Sequence, residues 1–341
     1  FMKRAMRVYE EMLEEDEHGA LRLPVSVSPE YRGKSPNAWG ENASFQLAAI
    51  HCLVENLLEA SAVLGEKPNP VWEDIQTRLP RATLARWEPS EAAFFGPRLD
   101  AECIALWKGQ LLEASHRHHS HMAALHPFDT IDPYAEEWAG IVENTFRQWV
   151  AHGTGLWSGW CIPWAAILHT RVHNGDMAEL LLEIFQRVYT NEGGNTFHDP
   201  RFPGFSLMGA YTFGLEGEKW TRERMQVEAQ MAAATAVQEM LLSTRRGVNY
   251  LFAGAPGRWD EVSFDGMRTD GAFLVSAARH KGRVQPVTVR STAGGTFRLS
   301  NPWDGAVRLL RDGKRGEELS GDVLDFGTSA GEEITIEPAS R

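Results

Sequence analysis

The spacing of apolar residues changes period once along this chain, near residue 247, and no fold of a single structural class satisfies both parts. Up to about residue 246, apolar side chains recur at helical intervals. Candidate helices cover roughly 2–16, 43–64, 70–79, 99–113, 134–152, 159–173, 176–190 and 223–244. The segment 43–64 is the clearest: Phe45, Leu47, Ile50, Leu53, Val54, Leu57, Leu58 and Val63 share a face, and Gly65 follows as a stop signal. A later helix begins near Asp176 and offers Leu180, Leu181, Ile184, Phe185 and Val188 to a core. Past 247, alternation takes over. Segments 273–277, 284–290, 295–299 and 333–337 read as strands, separated by turn signals at Lys281-Gly282, Gly294-Gly295 and Asp312-Gly313. The expected fold is mainly α, with a helical domain over 1–246 and a small antiparallel β domain, a sandwich, over 247–341.

Charge narrows the partners. The formal net charge of −12 argues against nucleic acid or an anionic membrane surface, each of which needs a basic stripe. The sequence shows no run of about 18 apolar residues, so no bilayer-spanning segment is expected. Cys52, Cys103 and Cys161 are far apart and odd in number, which points to buried free thiols and leaves the compartment open. Phe1 opens directly into helical spacing with no targeting segment, so the expectation is a chain entered part-way through a larger protein. The missing portion, or another chain, would complete the helical part.

Between the helices lie long loops at 17–42, 80–98, 114–133 and 191–222, and loops of that length usually carry function. The densest chemistry is His116-Arg117-His118-His119-Ser120-His121. Imidazoles and a guanidinium so close together repel when protonated and are costly to bury unpaired. Such a cluster lines a polar pocket, holds a metal, or fixes loop backbone, the last being the expectation for His119. No carboxylate or Cys stands close in the motif, so no metal and no cofactor are expected. Twelve Trp residues suit either a helical core or flat platforms for sugar rings. Trp157, Trp160 and Trp164 fall at near-helical spacing, and Trp160 is the one expected at a pocket.

The same residues carry a resemblance. His116-Arg117-His118-His119-Ser120-His121 with Leu125-His126-Pro127 is similar to the His-Arg-His-x-Ser-His segment of the family 95 glycoside hydrolases, the inverting α-L-fucosidases. Four further stretches agree in order. Val27-Ser28-Pro29-Glu30 resembles the family's Ser-Pro-Glu loop, and Gly159-Trp160-Cys161-Ile162-Pro163-Trp164 its Gly-Trp-Ser-x-Ala-Trp helix. Gln226-Val227-Glu228-Ala229-Gln230-Met231, running into Glu239-Met240-Leu241-Leu242, resembles its Gln-Ile-Asp-Gly-Asn-Phe stretch and the helix after it. Ala255-Pro256 to Trp259, Gly266-Met267-Arg268 and Gly271-Ala272-Phe273 resemble its entry into the C-terminal sheet. The resemblance covers nearly the whole chain, matched to the C-terminal half of the family's pattern. It implies an (α/α)6-toroid type of glycosidase domain, incomplete in this chain, followed by the β domain.

It also implies roles. Glu30 matches the family's general acid, and glycosidic cleavage needs a carboxyl group that hands a proton to the leaving oxygen. Tyr31 and Trp39 beside it are expected to desolvate it and raise its proton affinity. Read without the resemblance, Glu30 is a solvated loop residue. Glu228 matches an Asp that helps activate the attacking water, but here Asp has become Glu, and Gln230 replaces an Asn. The alternative for Glu228 is an exposed position on a helix. His116, Arg117, His118, His121, Trp39, Trp160, His198 and Gln230 are the candidate sugar contacts. The implied function is a glycoside hydrolase removing a terminal sugar, an α-L-fucoside or a relative, from an oligosaccharide or polysaccharide. The alternatives are a sugar-binding protein that has lost turnover, and a polysaccharide lyase on a similar helical toroid.

Overall fold

The computed structural model describes residues 1–33, 35–87, 101–201, 204–208 and 224–339. Parts of the expected loops at 80–98 and 191–222 lie outside the described residues. The chain forms two compact units interleaved in sequence: 1–161 with 197–225, and 162–196 with 226–341.

The first unit opens with three helices, α1 (Met2–Met12), α2 (Ser44–Leu64) and α3 (Pro70–Arg78). They share one core built from Met6, Leu47, Ile50, Val54, Leu57, Trp72, Ile75 and Leu79. Gly65 ends α2 in the left-handed region, as its position in the sequence predicts. Asn69 caps α3 by accepting from the Val71 amide, with Pro70 at the first helical position. Only part of the expected α2 face is buried. Val63 is exposed, while Ser44, His51 and Ser61 are inside, where backbone carbonyls accept from both serine hydroxyls and from His51 Nε2, leaving His51 Nδ1 without a hydrogen-bond partner among the described residues. By length and composition α2 could cross a membrane, with 21 residues and a mean hydropathy of 1.5, contrary to the expectation from sequence. Its apolar residues pack on α1 and α3, as those of a core helix do.

The helix expected over 99–113 does not form. Ala101–Ile104 is a strand, β4, paired antiparallel with β3 (Leu84–Trp87). Pairing with a partner strand overrides the apolar spacing, and Gly109, at φ +76°, turns the chain away. A two-residue hairpin, β1 (Glu14–Glu15) with β2 (Leu21–Arg22), precedes α2. Helix α4 (Glu136–Ala151) packs against β4 and places Phe146 and Trp149 inside.

The second unit joins helices to sheets. Helix α5 (Cys161–Arg171) belongs to it from Ile162 on, followed by α6 (Gly175–Val188) and α7 (Val227–Leu241). Asn174 caps α6, whose buried face is Gly175, Ala178, Leu181, Phe185 and Val188; Leu180 points outward, against expectation. Strands β5 (Leu242–Arg245), β6 (Val248–Leu251), β11 (Gly295–Ser300) and β14 (Val323–Thr328) form one sheet. The other sheet runs β13 (Lys314–Leu319), β12 (Val307–Arg311), β15 (Glu333–Pro338), β10 (Val287–Ser291), β8 (Phe273–His280) and β7 (Val262–Thr269), with β9 (Arg283–Val284) paired to β8. Pairing is antiparallel except for one bridge between β6 and β11. Both sheets turn alternate residues into a common core: Val275, Val287, Val289, Leu309, Ile334 and Ile336 from one, Phe297, Leu299, Leu324 and Phe326 from the other.

Tight turns fix the register. Lys281 with Gly282, and Asp312 with Gly313, all have positive φ, the conformation of the two-residue hairpin turns that match strand twist. Buried polar bonds tie the helices to this sandwich. Arg171 reaches Glu239 at 2.7 Å and the Thr244 carbonyl at 3.1 Å, and Arg245 donates to the Arg171 carbonyl at 2.7 Å. At Gly175 the chain passes so close to Ala255 that an added Cβ would lie 2.3 Å from its carbonyl carbon.

Candidate active site

Glu30 sits on a strained stretch of backbone. Its φ is +53°, and Arg32 follows at +59°, a region that residues with a Cβ enter rarely and mostly where surrounding structure holds them. Three contacts hold this turn against the segment 113–120. Ser28 and Ser120 share a hydroxyl bond of 2.5 Å, the Glu113 amide donates to the Tyr31 hydroxyl at 3.2 Å, and Arg32 pairs with Glu113 at 3.0 Å. The Ser-Pro-Glu turn and the histidine segment, about ninety residues apart in sequence, thereby become one structural element.

On that element the Glu30 carboxylate accepts from two donors. His118 Nε2 donates to Oε2 at 2.8 Å, and the Arg117 guanidinium pairs with the same oxygen. His116 donates to the Pro29 carbonyl at 3.1 Å and packs edge-on against Tyr31, ring centres 5.3 Å apart. His118 lies 5.2 Å from His116 and 4.8 Å from the ring of Trp160. Glu30, His116, Arg117, His118 and Trp160 are thus brought together.

The electrostatics correct one expectation. The Glu30 side chain is 58% exposed, and Tyr31 and Trp39 do not desolvate it. Tyr31 packs on His116 and Trp107, and Trp39 stands 61% exposed with no bond to Glu30. The hydrogen bond from His118, with the charge of Arg117, holds the carboxyl below its ordinary range, against a smaller opposing effect of burial. Burial acts on the imidazoles instead. It lowers His118 and takes His116 down to about 4, so neutral rings face an ionised Glu30 at neutral pH.

The neighbouring histidines go inward. His119 is fully buried, donating from Nε2 to the Cys161 carbonyl and accepting from Trp149 at Nδ1, both at 3.1 Å. Its ring meets Trp157 edge-on, 4.6 Å away, and Trp157 in turn stacks on Trp149. That is the backbone-fixing role its place in the motif suggested. His121 is also buried, and its ring nitrogens have no hydrogen-bond partner among the described residues. Burial lowers its proton affinity to about 3. No hydrogen bond or ring contact among the described residues joins it to Glu30.

A second polar pair is tied through the backbone to Gly159, the residue before Trp160. The His198 carbonyl accepts from the Gly159 amide at 2.9 Å, and the His198 amide donates to the Arg224 carbonyl. His198 Nδ1 donates to Asp199 Oδ1 at 2.5 Å. Asp199, the residue after His198, is a buried carboxylate. Glu228 and Gln230 lie on the exposed face of α7, in the other compact unit. Among the described residues, no group of three or more His, Cys, Asp or Glu side chains has a metal-holding arrangement. The three cysteines are free thiols.

Residues 1–241 match the family described as the glycosyl hydrolase family 95 catalytic domain. The chain belongs to that family. No curated protein matches it. Among solved structures it is similar to a GH127 beta-L-arabinofuranosidase from Geobacillus stearothermophilus T6, at 12% identity and a TM-score of 0.20. That similarity covers 54% of this chain, which spans 32% of the arabinofuranosidase chain.

Proposed function

We propose that this protein is a glycoside hydrolase that removes a terminal sugar, an α-L-fucoside or a close relative, with inversion at the anomeric carbon. Its helices belong to an (α/α)6 toroid, and its substrate is an oligosaccharide or polysaccharide. The observation that carries the reading is Glu30: a carboxylate on a positive-φ turn, exposed on one side and gripped on the other by Arg117 and His118. A carboxyl group fixed in direction yet open to solvent can meet a leaving oxygen.

In the resting site this group is ionised. A sugar entering between Glu30 and Trp160 excludes water from the carboxyl and competes for the donors on Oε2. Both changes raise its proton affinity and load it as an acid. Arg117 and His118 then hydrogen-bond the sugar's hydroxyls, and Trp160 offers an apolar face to the ring. The family resemblance assigns water activation to Glu228. Inversion requires the two groups about 6.5–9.5 Å apart, leaving room for a water.

The same ion pair favours a second reading, a sugar-binding protein without turnover, because a carboxylate held ionised is a good hydroxyl acceptor and a poor acid. A panel of aryl α-L-glycosides with proton NMR of the first-formed anomer separates the two. Release of the β-anomer supports the inverting hydrolase. Saturable sugar binding with no turnover on any member of the panel supports the second.

A further inference from the structure

We infer that Trp39 and Val27 form a platform for the leaving-group part of the substrate, a neutral oligosaccharide chain that departs with the oxygen Glu30 protonates. The inference rests on the hydrolase reading and deepens it by assigning the side of the substrate beyond the scissile bond.

Two short stretches, 25–28 and 38–40, lie side by side. The Ser26 amide donates to the Gly40 carbonyl at 2.8 Å and the Gly40 amide to the Ser26 carbonyl at 2.9 Å, so the two residues form an antiparallel bridge. Successive side chains in such a pair point to opposite faces. Ser26, Ser28 and Ala38 are buried, and Val25, Val27 and Trp39 are exposed. Val27 and Trp39 flank the bridge on the same outward face, where cross-strand neighbours stand about 4.5–5.5 Å apart at Cβ. Gly40 lets the inner face close. An added Cβ there would lie 1.9 Å from Cδ1 of Trp107, so the indole occupies the space a side chain would take.

The same indole connects to the acid. Trp107 meets Tyr31 edge-on, ring centres 5.7 Å apart, and Tyr31 follows Glu30. The bridge that carries Trp39 and the turn that carries Glu30 thus pack on one buried side chain. Val27 is three residues before Glu30, which limits their Cα separation to about 11 Å. The turn closed by the Tyr31 amide on the Ser28 carbonyl shortens it further. A general acid touches the oxygen that joins the two parts of the substrate, so the leaving part starts at Glu30 and runs over what adjoins it. Along its own segment, what adjoins Glu30 is an indole 61% exposed beside an exposed valine. Apolar area left in water next to a reacting group marks a binding surface. A flat indole suits the C–H face of a sugar ring. Further out, across from Val25, Glu41 pairs with Arg22 and Lys108, so these cations are already taken up and a neutral chain fits the platform.

Contact with the leaving chain acts on turnover through position. A sugar ring seated on Trp39 fixes the direction of the scissile oxygen relative to the Glu30 carboxyl, and binding energy gained away from the reacting bond can then lower the barrier at it. A leaving group without a ring does not reach the platform and gains none of this. The protein therefore favours oligosaccharides over small glycosides of the same terminal sugar.

The test uses the full chain and three substrates with one α-L-fucosyl group: the fluoride, the methyl glycoside, and the trisaccharide α-L-fucosyl-lactose in its better-hydrolysed linkage. Wild type is expected to show a higher kcat/KM on the trisaccharide than on the methyl glycoside. Trp39→Ala should lower kcat/KM on the trisaccharide by about 10–100-fold, with a far smaller loss on the fluoride and an unchanged thermal melt. Trp39→Phe, which keeps a flat ring, should recover most of the trisaccharide rate. An equal loss on all three substrates overturns the inference, as does a wild type no faster on the trisaccharide than on the methyl glycoside. Wild-type trisaccharide rates in Trp39→Ala also overturn it and leave this face to packing against another protein segment. In each of these cases the hydrolase reading stands. Wild-type protein inert toward all three substrates overturns the hydrolase reading and this inference with it.

Discussion

The C-terminal sandwich and the loop-built site are stabilised in opposite ways. In the sandwich each strand contributes alternate apolar residues to a shared core, and each backbone pair repeats the one before it. The site has no repetition. Glu30 depends on Arg117 and His118, the turn on Ser28 with Ser120, and His198 on Asp199. Apolar burial is non-directional and tolerates a substitution in proportion to the volume removed. A polar contact in a loop has one partner, so a single change can abolish its role with little effect on folding.

Substitutions at the two regions should therefore separate stability from activity. The largest stability effect is expected in the sandwich core. Phe297 is fully buried, with Phe273 5.0 Å and Phe326 5.7 Å away, and Phe297→Ala should cost about 3–5 kcal/mol in chemical unfolding. Gly175→Ala comes next. Its Cβ would meet the Ala255 backbone, which cannot swing aside like a side chain, and about 1–3 kcal/mol of overpacking is expected by the same measurement. A near-neutral result at either position would mean that these contacts are looser than the geometry states.

Acid provides a third test. Burial holds His116 near 4 and His121 near 3, both below the unfolded value of about 6.5. The unfolded chain then binds more protons than the native one between those values. Stability should be complete above pH 6.5 and decline steadily as pH falls toward 4, read as melting temperature against pH. A flat profile over that window would contradict the burial of these rings. The smallest effect concerns proton affinity at the site. Removing the His118 hydrogen bond in His118→Leu should let the Glu30 carboxyl rise, moving the alkaline limb of the kcat/KM profile to higher pH. Movement toward lower pH would reverse the sign of the proposed interaction.

The two regions also differ in how much the sequence reveals. Strands β8, β10, β11 and β15 are visible because both packed faces force strict alternation. Strand β13 is almost wholly exposed and charged, as suits a sheet edge, and leaves no apolar pattern to read. Strand β7 is broken by a register shift between Phe264 and Met267, which disturbs its period. The helical spacing over 99–113 misleads because β4 is decided by its partner β3, many residues earlier.

At the site, Ser28-Pro29-Glu30 and His116-Arg117-His118 are legible as motifs because each is local. What joins them is not. The Ser28–Ser120 bond, the edge-on packing of Tyr31 on His116 and the burial of Asp199 depend on segments brought together only by folding. For the same reason the environment of Glu30 is not legible in the sequence. Its neighbours in sequence, Tyr31 and Trp39, point to desolvation, whereas His118 and Arg117, distant in sequence, set its charge.

The central claim is that the carboxyl group of Glu30 hands a proton to the departing sugar oxygen. Its most direct test compares wild type and Glu30→Gln on methyl α-L-fucoside and on α-L-fucosyl fluoride, with a melt recorded for each protein. The account predicts a loss of about 10²–10⁴-fold on the methyl glycoside, a far smaller loss on the fluoride, and unchanged melting. Equal rates for the two proteins on the methyl glycoside would contradict it.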